Sequence, residues 1–468
     1  MPEDAENGGR LLVVSNRLPK GDDVPAGGLV FAIHEALTEA GGLWIGSANP
    51  TEEADDGLTQ IGSGDYDRAT FSLTESEHKG FYFGYSNSVL WPLFHHRSDL
   101  LSLDGRDFED YATVNTRVAR AIAGIVEPDD LIWIQDYHFL MVAQELRKLG
   151  VDNRIGLFLH IPFPNLSDVM ALPQVDMIGG WLAAHDLVGL QTSRDVSAAQ
   201  DVLRRDPQAQ ILNNGSWIRD GRIFSVRSFP IGIDAESFAK TAAEAPIVDL
   251  QVPEGAPLLL GVDRLDYSKG LVQRFEAFGE YLGLRAIDDP KPTYIQIAPV
   301  SREDVSAYQD IREELERTAG STNGEHAELD WTPIRYIRHH IDRDIIAGLY
   351  RRANVALVTP LADGMNLVAK EYIAAQDPEN PGVLILSHFA GAAEQMANGA
   401  LMVNPFDKRA FAQAIDKAMR MPLEERKARY EDLRQGVFEE DIRWWTNAFL
   451  DWLRRAPRSF DRAVRQLI

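Results

Sequence analysis

The chain has 468 residues, past the size at which single cores stop growing, so two domains are expected, each able to bury its own core. A composition of 45% apolar and 25% charged residues excludes the disordered and membrane classes, and the lack of cysteine excludes disulfides, thiolate metal sites and cysteine nucleophiles. With 47 basic against 71 acidic residues the net charge is −24, a field that repels nucleic acid and anionic membrane, so any anionic ligand must be held by local basic groups.

Residues 1–9 are polar and acidic, without the basic-then-apolar pattern of a secretory signal. No run approaches the roughly 18 apolar residues of a membrane span. A cytoplasmic protein with neither nucleic-acid nor membrane partners is expected. Along the chain, short runs of Val, Ile and Leu recur, each followed by a glycine- or proline-bearing turn and then by helical spacing, the signature of an α/β fold. Strands are predicted at 11–15, 131–134, 155–160 and 187–191 in the first half. In the second half they are predicted at 258–262, 294–298, 355–358, 383–386 and 400–403. Continuous hydrophobicity implies strands covered on both faces, hence parallel sheets. The stretch 244–256, apolar-poor and holding Pro246 and Pro253, places a boundary near residue 235. The first domain then spans 1–235 and the second 236–446. Helical spacing through Trp445, Phe449 and Trp452 suggests that the last segment, about 447–468, returns to the first domain.

Ligands of open α/β sheets bind at the carboxyl ends of strands, and the informative residues stand there. Arg17 closes the first strand, where an arginine is usually paired or ligand-facing. Gly27 and Gly28 lead into the next helix and either admit a phosphate or make a plain tight turn. Trp44, Tyr82 and Trp91 are aromatics suited to a sugar pocket or to the core. Asp136 and His138 follow another strand as an acid/base or substrate-binding pair, or as a helix-start cap. His160, in His160-Ile161-Pro162-Phe163-Pro164, is a ligand group or a satisfied core histidine. Arg264 and Lys269 share one loop and could neutralise a diphosphate leaving group, unless Arg264 pairs with Asp263 or Asp266. Arg302 is a further cation near a strand end. In the run 363–372, Asn366 reads as an N-cap, and the N–H groups of Leu367 and Val368 would face a phosphate. Asp363 and Glu371 could bond sugar hydroxyls, or Glu371 could be a solvated helix residue. No third ligand recurs at metal-binding spacing, so no metal is expected.

Taken together, the runs 14–17, 131–138, 153–164, 264–270, 296–302 and 363–378 resemble the trehalose-6-phosphate synthases over nearly the whole chain. The resemblance implies a GT-B fold, two facing Rossmann-like domains with the active site in the interdomain cleft. It also implies retaining transfer of glucose from a nucleotide sugar to glucose 6-phosphate, the first step of trehalose biosynthesis, with a place in osmoprotection and stress response. It assigns Arg17, Tyr82, Trp91, Asp136 and Arg302 to the acceptor pocket, with Trp44 nearby. Gly27, Gly28, Arg264, Lys269, Ile341, Asn366 and the run Leu367, Val368, Ala369, Lys370 and Glu371 fall at donor positions. His160, Ile161 and Asp363 fall where the transferring glucose is contacted, with Trp91 and Ile161 bearing on anomer selectivity. The implied mechanism needs no protein nucleophile, cofactor or metal; Arg264, Lys269, His160 and Asp363 carry it. UDP-glucose is the expected donor, with ADP- and GDP-glucose open. A dimer or tetramer, and a separate trehalose-6-phosphate phosphatase, are implied as partners. Two readings compete: a sister transferase that uses glycerol 3-phosphate to make glucosylglycerol phosphate, and an inactive sugar-nucleotide-binding homologue.

Overall fold

A computed structural model describes residues 9–19, 28–252, 255–300 and 306–457. They form two compact units, one within Met1–Pro230 and Trp445–Ile468, the other within Ile231–Trp444.

The first unit is built on a ten-stranded sheet. Its strands are β1 (Leu11–Val14), β2 (Gly42–Ser47), β3 (Leu58–Gly62), β4 (Asp67–Phe71), β5 (Leu131–Gln135), β6 (Arg154–Phe158), β7 (Leu187–Leu190), β8 (Ala209–Ile211), β9 (Trp217–Arg219) and β10 (Arg222–Ser228). They lie in the order β3-β4-β2-β1-β5-β6-β7-β10-β9-β8. The centre is parallel, as continuous apolar runs require: every residue of β1 and β5 is buried. The expectation of a wholly parallel sheet fails at both margins. There β3 pairs antiparallel with β4, and β9 pairs antiparallel with β10 and β8. These strands are half-exposed and polar, as edges that must not recruit another chain tend to be.

The last helix, Ile442–Arg455, sets two aromatic side chains on this sheet from Trp445 onward. The ring of Trp445 lies 5.3 Å from that of Trp133, and Phe449 stacks on Trp133 at 5.1 Å. Gly156 and Gly189 open the slot for Phe449: a Cβ on either would stand 2.8 or 2.7 Å from its ring. Burying a ring of this size contributes on the order of 2–3 kcal/mol. Trp452, on the outer side of the same helix, is 43% exposed and carries the Arg227 guanidinium 3.8 Å above its ring.

The second unit holds a six-stranded, all-parallel sheet: β11 (Leu258–Val262), β12 (Thr293–Ile297), β13 (Ile334–Ile337), β14 (Val355–Val358), β15 (Val383–Ser387) and β16 (Leu401–Val403). The order β13-β12-β11-β14-β15-β16 is, counted within the unit, 3-2-1-4-5-6, the doubly wound Rossmann order. Connections leave β11 toward one edge and β14 toward the other. Above the neighbouring ends of β11 and β14 the chain therefore parts and leaves a crevice. In the first unit β1 and β5 are the corresponding pair, with β2 on one side and β6 on the other.

Candidate active site

In the second unit the loops after β11 and β14 carry most of the donor positions, and they are laced together. The Leu361 amide donates to the Ser268 carbonyl at 2.7 Å. Gly270 sits in the left-handed region at φ +66°, and a Cβ there would lie 2.2 Å from the Thr359 carbonyl oxygen. Glycine is thus required both by conformation and by the closeness of the loops. Across this junction Lys269 Nζ donates to Asp363 Oδ2 at 2.5 Å, with both side chains only 11% exposed.

Asn366 stands at the N-cap position of the helix Leu367–Ala375, as the sequence predicts, but its side chain makes no cap hydrogen bond. Its backbone is left-handed at φ +77°, and its Nδ2 donates instead to Asp363 Oδ2 at 3.0 Å. Its Oδ1 is buried and has no partner among the described residues. Left-handed asparagine costs energy and persists where its surroundings hold it, often at functional sites. The N–H groups of Leu367 and Val368 consequently begin the helix without a side-chain acceptor, the arrangement that suits an anion. A third loop, unforeseen in the sequence, braces the second. The Gly391 amide donates to the Asp363 carbonyl at 3.0 Å, and Ala392 donates to Met365 at 2.8 Å.

Arg264 is exposed on the β11 loop. Asp263 accepts from Arg274 at 2.6 Å, and Asp266 accepts from the Ser268 amide at 2.9 Å and from Tyr308 Oη at 2.7 Å. Glu371 is half-buried, its side chain 24% exposed; burial pushes its carboxyl up to about 7, opposed by Arg343 at 4.0 Å. Lys370 is a correction to the donor set as a ligand-facing cation. Its ammonium is buried and donates to the Ile231 carbonyl at 2.8 Å, and burial lowers its pKa to about 8. Ala369 is buried, and Ile341 lies half-buried between β13 and the helix Arg343–Arg352.

In the first unit Arg17 leaves the end of β1 and donates to Tyr82 Oη at 3.0 Å, its guanidinium 5.9 Å from the Tyr82 ring centre. Tyr82 is set by a π-helix, Lys79–Leu90, whose wide turns are sealed by side chains. Asn87 Nδ2 donates to the Tyr82 carbonyl and Ser88 Oγ to the Phe83 carbonyl, each at 2.7 Å across five residues. Such helices are rare and concentrate at functional sites. Trp91 ends this segment, buried, its ring 4.1 Å from that of His95. His138 is a buried ring between Tyr82 and Tyr137, 5.9 and 4.1 Å away. Trp44 belongs to the core next to the Arg17 loop. At 1% exposure, with its indole N–H donated to Ser15 Oγ at 2.8 Å, it braces the loop; Ser15 in turn donates to the Arg17 carbonyl at 2.8 Å.

Asp136 follows β5 with φ +66°, a conformation costly for aspartate, and its Oδ1 accepts from the His160 amide at 3.3 Å. His160 Nε2 lies 2.9 Å from Gln135 Oε1. Burial pushes the imidazole down to about 3, so it is neutral near pH 7 and acts by hydrogen bonding, not by charge. Ile161 is buried beside it. Gly28 opens the helix Gly28–Ala40, whereas Gly27 and Arg302 lie outside the described residues. Among the described residues no group of three acidic or histidine side chains could hold a metal, and no helix is long and apolar enough to cross a membrane.

The arrangement suits phosphate and sugar recognition. One unit presents a helix start beside the Lys269–Asp363 pair, with Arg264 on the same loop as Lys269; the other presents Arg17, aromatic rings and a strained Asp136. Comparison with known proteins agrees. Residues 15–455 match the model of glycosyltransferase family 20. The trehalose-6-phosphate synthase of Cronobacter sakazakii is 44% identical over 467 residues, 98% of either chain, and that of Escherichia coli O1:K1 is 43% identical with the same coverage. A solved structure described as trehalose-6-phosphate from E. coli bound with UDP-2-fluoro glucose superposes with a TM-score of 0.91 at 43% identity, covering 96% of this chain and 99% of that one. The α,α-trehalose-phosphate synthase (UDP-forming) of Burkholderia xenovorans in complex with glucose-6-phosphate gives 0.88 at 42% identity, covering 95% and 100%. The chain is a member of glycosyltransferase family 20.

Proposed function

We propose that this protein transfers glucose, with retention of configuration, from UDP-glucose to glucose 6-phosphate, forming α,α-trehalose 6-phosphate and UDP. The observation that carries the reading is the Lys269–Asp363 pair beside the start of the helix Leu367–Ala375, at the strand-order reversal of a Rossmann sheet. One ammonium proton goes to Asp363 and two remain for a phosphate. Arg264, Lys269 and the Leu367 and Val368 amides hold the diphosphate and stabilise the charge it gains as the bond from glucose C1 to oxygen breaks. Asp363, Glu371 and the neutral His160 bond the donor's hydroxyls. The acceptor hydroxyl attacks C1 from the face the diphosphate leaves, and the departing phosphate oxygen takes its proton. UDP and the new glycosidic bond balance the reaction without a protein nucleophile.

Arg17, and Arg302 by position, grip the acceptor phosphate, while Tyr82, Trp91 and Asp136 receive its hexose ring. That aromatic and acidic lining favours a hexose over glycerol 3-phosphate. The resemblance to the trehalose-6-phosphate synthases supports three further proposals: a cytoplasmic site of action, assembly as a dimer or tetramer, and reliance on a separate phosphatase. The test is UDP release over a matrix of UDP-, ADP- and GDP-glucose against glucose 6-phosphate and glycerol 3-phosphate. UDP should appear with UDP-glucose and glucose 6-phosphate together. Equal turnover with glycerol 3-phosphate would overturn the acceptor assignment, and no turnover with any pair would favour the inactive homologue.

A further inference from the structure

Arg274 is the one arginine among the described residues with a fully buried side chain, 0% exposed, in the first turn of the helix Leu271–Leu284. A buried guanidinium is costly unless every face is bonded, and here its four partners come from three separate segments. Its Nη1 donates to Asp263 Oδ2 at 2.6 Å and to Gln296 Oε1 at 3.3 Å. Its Nε donates to Thr359 Oγ1 at 2.9 Å, and its Nη2 donates to the Lys269 carbonyl at 3.0 Å. Asp263 follows β11, Gln296 lies in β12 and Thr359 follows β14, so the side chain spans the carboxyl ends of three strands beneath the crevice. Gly261 keeps the space open, since a Cβ there would lie 2.3 Å from Gln296 Oε1 and 2.7 Å from Tyr294 Oη.

What Arg274 holds is the backbone of the residue whose ammonium reaches Asp363. With the Lys269 carbonyl fixed by Nη2 and Thr359 by Nε, both sides of the Lys269–Asp363 contact are tied to one rigid plane. We infer that Arg274 is a positioning residue for glycosyl transfer, setting Lys269 against the leaving diphosphate from beneath. The inference rests on the role proposed above for Lys269. A planar fork is needed for this; lysine supplies the charge for Asp263 but cannot bond Thr359, the Lys269 carbonyl and Asp263 together.

The test is a double-mutant cycle between Arg274→Lys and Lys269→Ala, read as kcat with both substrates saturating. In the otherwise unaltered protein Arg274→Lys should lower kcat on the order of 10²-fold, the cost of misplacing a catalytic group by about 1 Å. The glucose 6-phosphate KM should stay within about twofold, since Arg17, Tyr82, Trp91 and Asp136 of that pocket stand on the first unit. In the Lys269→Ala background the same change should cost less than about threefold, because nothing remains to be positioned. Additive losses, an unchanged kcat in the first comparison, or an equal rise in the acceptor KM would each overturn the proposal. Should Arg274→Lys fold poorly, Arg274→Met with Asp263→Asn removes both charges and enters the same cycle. If the unaltered protein prefers another donor and acceptor, the functional reading has failed separately, and the cycle is run with the preferred pair.

Discussion

Lys269→Ala separates chemistry from folding, because the structure assigns its ammonium to both. On the chemical side one preorganised cation is lost from the leaving diphosphate; such a loss typically costs about 2.7–4 kcal/mol, or roughly 10²–10³ in kcat. On the folding side Asp363 loses a partner at 2.5 Å in a site where both side chains are 11% exposed, and retains the Asn366 amide at 3.0 Å. Breaking a fully buried pair costs on the order of 3–5 kcal/mol. Residual exposure and the surviving hydrogen bond reduce that here to about 1–3 kcal/mol. In a unit of this size each kcal/mol lowers Tm by roughly 2–4 °C, so the variant remains folded at 25 °C. UDP release at saturating substrates should therefore fall at least about 10²-fold while thermal unfolding shifts by several degrees. Adding Asp363→Asn should restore much of the Tm and none of the turnover. Turnover within about threefold of the unaltered protein would refute the leaving-group argument.

Arg17→Ala should raise the glucose 6-phosphate KM about 10- to 100-fold, the worth of a charge-assisted hydrogen bond, and leave the UDP-glucose KM nearly unchanged. Steady-state kinetics with each substrate varied in turn reads this, and the reverse pattern would place Arg17 in the wrong pocket. Glu371 predicts a pH signature. Because burial raises its folded pKa from 4.5 to about 7, its protonated form stabilises the fold fully below about 4.5, and that contribution is lost as pH rises through about 7. Relative to Glu371→Gln, the unaltered protein should lose Tm across that window and run parallel to it above; parallel curves throughout would show that the carboxyl is not buried as described.

The buried centres of both sheets are legible because β1, β5, β14 and β15 are covered on both faces and so read as unbroken apolar runs. β3 faces solvent, β4 buries only alternate residues, and β13 carries Arg335 and Tyr336 at a half-exposed edge, so none of the three gives such a run. The site divides in the same way. Lys269 and Asp363 stand out singly, each just past a strand, but they are 94 residues apart and their pairing follows from strand order, which local pattern does not encode. Arg274 looks like any polar residue of an amphipathic helix; only the fold shows it enclosed. Trp44 and Lys370 show the converse. Position assigns them to ligands, while packing turns the indole N–H to Ser15 and the ammonium to the Ile231 carbonyl. The π-helix is hidden in the sequence because Asn87 and Ser88, whose side chains bond carbonyls five residues back, ordinarily signal a turn.

The central claim is glucosyl transfer with retention onto glucose 6-phosphate, and the product's configuration tests it most directly. UDP-glucose and glucose 6-phosphate are incubated with the protein, the phosphate is removed, and the sugar is treated with an α,α-specific trehalase. The account predicts complete cleavage to glucose, in an amount matching the UDP released. A disaccharide that resists this enzyme, or UDP release with no disaccharide at all, would contradict it.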